Sequence, residues 1–304
     1  MKLKFVTANF LNNSLCAVVI GTGIFEYSAN TFFNTYIKNY KEAYKNGKPI
    51  ELSKNLQKRY DDVVKDLKFT EFQKAFSVPF VVEGLKPINI GCLNTRSGCY
   101  IGLPINFDYK SVEDVENSYF EEYIQLFNSN YEYKKQYMET LILSDSAKKF
   151  AIAKEIVLTD NFQLFIKSII SSLTLIPVYA LGEYIMKLIS GNPIKFRGLV
   201  LFILCNIGII LCFFLRNCVK NFFLHDADSI VCKINSEYIK GGLEYYEKEI
   251  QRNKILRNIL PFGHEIYSEK GDEKKFFSEL PLSFRIKTLE HYLKKKNEDN
   301  LEIL

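Results

Sequence analysis

The side chains able to do chemistry are scattered through this chain, with one exception. A strand-rich segment carrying Gly98-Cys-Tyr-Ile-Gly102 comes first. A helix containing Phe150-Ala-Ile-Ala-Lys-Glu-Ile-Val-Leu158 follows, then a hydrophobic hairpin, then Asp226-Ala-Asp228 opening another helix. That order has the layout of an active site, with Glu155 as its carboxylate. The three histidines, His225, His264 and His291, are isolated. None lies four residues from another, the spacing that would put two imidazoles on one helical face for a metal. Gly21-Thr-Gly23 lacks the third glycine and the preceding strand of a dinucleotide fingerprint. Neither a Walker loop nor a Gly-x-Ser-x-Gly elbow occurs, and no catalytic, cofactor-binding or metal residue can be assigned.

The layout resembles the integral-membrane zinc metallopeptidases of the heat-shock and CAAX-prenyl type. The resemblance implies that Lys154 and Leu158 stand at the two histidine positions of a His-Glu-x-x-His helix and that Glu155 keeps the general-base position. Leu224, four residues before Asp228, would stand where the third ligand belongs. An ammonium and two isobutyl groups cannot ligate zinc, which takes imidazole, thiolate or carboxylate donors. Without a metal to polarise water, Glu155 has no catalytic task. This reading is a degenerate zincin-like fold. The other is an ordinary helix with an Ala-Lys-Glu face turned to solvent.

The chain is organised around Leu164 to Leu215, two hydrophobic segments joined by a basic turn. The run from Leu199 to Leu215 carries no charge. At helical rise it covers roughly 25 Å, close to the hydrocarbon thickness of a bilayer. The first segment, Leu164 to about Met186, has its only charges, Lys167 and Glu183, near its ends, where they reach headgroups at little cost. Ser190-Gly-Asn-Pro193 is turn chemistry. The competing reading is a buried helical hairpin of a large soluble protein, but such helices rarely stay uncharged for so long. Lys187, Lys195 and Arg197 place the turn in the cytosol or matrix by the positive-inside rule, with Lys2 and Lys4 on that same side if the first span is real, so the folded domain faces the opposite side.

Around this hairpin the expected organisation is 1–33 as an N-terminal anchor or targeting segment, 34–163 as the first half of a soluble domain, 164–215 as the hairpin, and 216–304 as a helical second half. A hairpin returns the chain to the side it left, so the two halves can pack into one α+β domain. Residues 5–25 are uncharged behind Lys2 and Lys4 and could be a third span, a signal peptide or an organelle presequence. Leu52, Leu56, Tyr60, Val63, Val64 and Leu67 form one helical stripe. The stretch 76–110, rich in proline, glycine and β-branched residues, reads as short strands. Val112, Val115, Tyr119, Tyr123 and Phe127 resume a helical period. Ser144-Asp-Ser146 is a helix N-cap. Ile230 to Ile250 reads as helices broken at Gly241-Gly242, and a last helix starts after Pro281.

Hydrophobic residues make up 47% and charged residues 25%, so a sizeable part of the chain faces water. Most of the net charge of +5 arises at the N-terminus and in the hairpin. With signs balanced elsewhere, no basic face for nucleic acid is expected. Seven cysteines at irregular spacing, without a CxxC pair, argue against zinc ribbons and thioredoxin-like sites. No cofactor is implied.

A longer resemblance covers nearly the whole chain. Ile101-Gly-Leu-Pro-Ile105, Lys149-Phe-Ala-Ile-Ala-Lys-Glu-Ile-Val157 and Gly241-Gly-Leu-Glu-Tyr-Tyr-Glu-Lys248 carry it. So do Arg252-Asn-Lys-Ile-Leu-Arg-Asn-Ile-Leu260 with Ile266-Tyr267, and Phe284-Arg-Ile-Lys287. In this order around a hairpin they are similar to the transmembrane protein 177 family of the mitochondrial inner membrane. The resemblance implies a non-enzymatic role in cytochrome c oxidase biogenesis, through the membrane chaperone of newly made subunit II, with the soluble domain in the intermembrane space. The rival functions are a residual membrane hydrolase of metallopeptidase descent and a membrane scaffold in another organelle.

Overall fold

The computed structural model describes residues 21–116, 127 and 131–301. Most of the expected N-terminal span, and Tyr119 and Tyr123 of the expected helical period, lie outside the described residues. The chain separates into two units, Met1–Phe33 with Phe162–Lys220, and Asn34–Asn161 with Asn221–Leu304.

The second unit brings together the parts of the chain before and after the hydrophobic hairpin. It begins with α1 (Asn34–Lys41), a hairpin of β1 (Tyr44–Lys45) and β2 (Lys48–Pro49), and α2 (Lys54–Asp66). Ser53 caps α2 by accepting the Leu56 amide, and the stripe Leu56, Tyr60, Val63 and Val64 is buried. After α3 (Glu71–Ala75) comes a three-stranded sheet of β3 (Ser77–Val82), β4 (Ile88–Gly91) and β5 (Cys99–Pro104). β5 is central, parallel to β3 and antiparallel to β4. Then come α4 (Val112–Glu116), α5 (Tyr131–Leu141) and α6 (Asp145–Thr159). Ser144 accepts the Ala147 amide at 3.2 Å, and α6 packs on β4 and β5.

Two helices are long and apolar enough to cross a membrane: α7 (Gln163–Leu188), in the first unit, and α8 (Ile194–Ile234), which begins in the first unit and whose last residues, from Asn221, belong to the second. Only 12% and 6% of their apolar windows are buried within the protein. A soluble core hairpin would be mostly buried, so these faces meet another apolar medium. Where the helices meet, a Cβ on Gly208 would lie 2.8 Å from a Val178 methyl. A small residue at this point lets the backbones approach. Polar groups are satisfied locally: Ser168, Thr174 and Asn206 donate to the carbonyls of Leu164, Ile170 and Phe202. Residues 21–31 are helical, and Glu26 there accepts from Arg216 at 2.6 Å.

Two expectations are corrected. Asp226-Ala-Asp228 opens no helix, because α8 runs unbroken through it to Ile234. Gly241-Gly242 breaks none either. α9 (Ser236–Ile259) starts at an Asn235 cap that accepts the Tyr238 amide, and it continues through both glycines. A Cβ on Gly241 would sit 2.3 Å from the Ser146 carbonyl oxygen, and one on Gly242 2.5 Å from Leu289. The glycines therefore serve close helix packing, at a cost of roughly 1 kcal/mol each in helix propensity. After the one-turn α10 (Gly263–Ile266), α11 (Leu282–Leu301) packs on α9, which also packs on α6.

Candidate functional site

The helix α6 is buried along nearly all its length, from Ala147 to Thr159 apart from the half-buried Lys149. Its Ala-Lys-Glu segment is therefore not a solvent face, contrary to the simpler expectation: Lys154 is 7% exposed and Glu155 5%. The pair survives burial because each charge is met. Lys154 Nζ lies 3.1 Å from Glu155 Oε1 and 5.7 Å from the Tyr245 ring centre. Asn89 on β4 donates to the other oxygen, Glu155 Oε2, at 2.5 Å. Both oxygens of the would-be general base are thus committed to protein partners.

The remaining positions of the degenerate motif divide. Leu158 and Leu224 are buried in one hydrophobic core and supply only hydrocarbon. Asp228 takes its partners from α9 and α11. Arg285 donates to it through Nε at 2.7 Å and through a terminal nitrogen at 2.8 Å, and the Tyr246 hydroxyl donates at 2.7 Å. The guanidinium lies 4.4 Å from the Tyr246 ring centre. Burial pushes the Tyr246 phenol well up, keeping it a donor. This is a bidentate clasp that fastens the last helix to the core.

A third buried group extends from the same side of α9. Glu249 is 4% exposed and ion-paired with the half-exposed Lys86. Burial alone would raise its carboxyl; Lys86, Arg252 and Lys154 outweigh that and hold it below the usual range. Sequence reasoning missed Asn89, Arg285, Tyr246, Lys86 and Glu249. One signal was available: Tyr238, Gly242, Tyr245, Glu249 and Arg252 share one helical stripe, so two charges sit on a face that is otherwise apolar or aromatic. Among the described residues no three His, Cys, Asp or Glu side chains gather where they could hold a metal ion.

The family model described as Transmembrane protein 177 matches residues 51–300. The chain belongs to the Transmembrane protein 177 family. Similar members are the Danio rerio protein, 29% identical over 81% of this chain and 82% of that protein, and the Xenopus laevis protein, 26% identical over 78% and 77%. The Homo sapiens protein is 22% identical over 88% of this chain and 87% of its own length. No solved structure matches. Family membership and the two exposed apolar helices make this a membrane protein of the Transmembrane protein 177 family. Stretches that carried the sequence resemblance supply Lys154, Glu155, Tyr245, Tyr246, Arg252 and Arg285 of these polar groups, whereas Asn89, Asp228 and Glu249 lie outside them.

Proposed function

We propose that this protein is a non-enzymatic factor of the mitochondrial inner membrane. It supports the biogenesis and stability of cytochrome c oxidase subunit II by associating with that subunit's membrane chaperone. The observation that carries the reading is membership of the Transmembrane protein 177 family across residues 51–300. The physical support is the hairpin. Its two helices offer apolar flanks, little of which the protein itself covers, to lipid and to the span of a partner. The basic turn at Lys187, Lys195 and Arg197 favours the matrix side, with the soluble unit in the intermembrane space. The committed oxygens of Glu155 and the zinc-incompetent side chains at 154, 158 and 224 favour a scaffold over a hydrolase of degenerate zincin descent.

The test is deletion of the protein followed by subunit II immunoblotting and mild-detergent co-purification. Lower subunit II and recovery of its chaperone are expected. Unchanged subunit II in a clean deletion overturns the reading. Stoichiometric zinc with peptidase turnover in the purified protein would return it to the hydrolases, and a tagged copy outside mitochondria to scaffolds of another organelle.

A further inference from the structure

A cleft of about 630 Å³ opens beside α9, within the range of small-molecule sites. Leu85, Leu256, Leu260, Tyr137 and Tyr267 give it apolar walls, and Arg252 lines it as well. Arg252 is 7% exposed. Among the described residues its guanidinium makes no hydrogen bond and no ion pair within 4 Å. The anion that acts on it electrostatically, Glu249, is already ion-paired with Lys86, which Glu273 also approaches at 3.7 Å. A guanidinium presents five donors in a planar fork, and Arg252, as a lining residue, offers its own to whatever occupies the cleft.

We propose that this cleft binds a small amphipathic carboxylic acid, its carboxylate on the Arg252 fork and its apolar body against Leu85, Leu256, Leu260 and the tyrosine rings. The fork geometry matches a carboxylate bidentately. Glu83 and Glu273 on the cleft wall offset Lys41 and Lys86 there, so Arg252 leaves one net positive charge, which suits a monoanion better than phosphate. The carboxylate could belong to a free organic acid or to a short peptide's C-terminus, since both offer the same head with an apolar neighbour.

The experiment uses the full chain in a non-ionic detergent, with ligand-observed NMR and thermal shift as readouts. The probes are 3-phenylpropionate, its neutral amide, inorganic phosphate, and an N-acetylated tripeptide ending in leucine. Binding of the acid or the peptide in the millimolar range expected for so few atoms, with the amide at least about tenfold weaker, supports the proposal. The free acid alone, or the peptide alone, identifies the source. Arg252→Gln should weaken binding about tenfold or more, and Arg252→Lys less. Should Arg252→Gln fail to fold, Leu85→Glu puts a repelling charge on the wall without touching Arg252 and should abolish binding. No binding of either carboxylate to the wild type, equal binding of the amide, tighter binding of phosphate, or undiminished binding to a folded Arg252→Gln or Leu85→Glu variant overturns it.

Discussion

Removing one partner of the Asp228–Arg285 pair strands the other charge in the core. Asp228→Ala should therefore cost about 3–5 kcal/mol, whereas Asp228→Ala with Arg285→Met should cost less than either single change, because no charge is then left unpaired. Thermal denaturation of the three variants in detergent checks this. Lys148 makes a pH-dependent case. It is 3% exposed, donates to the Tyr109 carbonyl at 2.9 Å, and is pushed down from 10.5 to about 8 by burial and then by Arg59. As pH falls from 10.5 to 8, the unfolded chain takes up this proton and the folded chain does not, so the wild type loses stability. Lys148→Met does not titrate. Its melting point relative to wild type should rise across that window and stay level below it; a constant difference from pH 8 to 10.5 would contradict the burial argument. At this scale the sequence was legible only where partners are local. Ser144 could be read as a cap because it acts three residues on. The clasp could not, because Asp228 and Arg285 are 57 residues apart and only the packing of α8, α9 and α11 brings them together.

Gly241 tests the packing of elements. Alanine there gains about 1 kcal/mol of helix propensity but places a methyl against the Ser146 carbonyl, a backbone atom that cannot swing away. Gly241→Ala should destabilise by about 1–3 kcal/mol net, read as a lower melting point with the helix content unchanged. A stabilised variant would mean that α6 and α9 are farther apart than described. The same glycines show why the expected break was wrong. Sequence marks glycine as a breaker, yet the tertiary contact that rewards it is invisible until α6 is in place. The α2 stripe was legible because its period is regular and one-sided. α6 was not, because burial on nearly every side leaves no polar face to mark its orientation, and its Lys-Glu pair looked like surface. The length of α8 was missed for a related reason: past Leu215 the run turns charged, which reads as an end but is a change of surroundings.

For the molecule as a whole, the test is whether the exposed hairpin meets lipid. Alkaline carbonate should leave the protein in the membrane pellet, and release into the supernatant would contradict two spans. The hairpin was legible because uncharged length is a one-dimensional property. The larger unit was less so, since its sheet order of β3, β5, β4 is non-sequential. That unit also has an awkward birth. α6 rests against α9, and α9 against α11, yet the ribosome makes both of those only after the hairpin. The sheet and α6 must wait, apolar side uncovered, for the whole time it takes to thread two spans into lipid. Closure is thus a late event that depends on correct insertion, and a nascent chain stalled between the spans would present an adhesive half-domain to every chaperone and protease nearby.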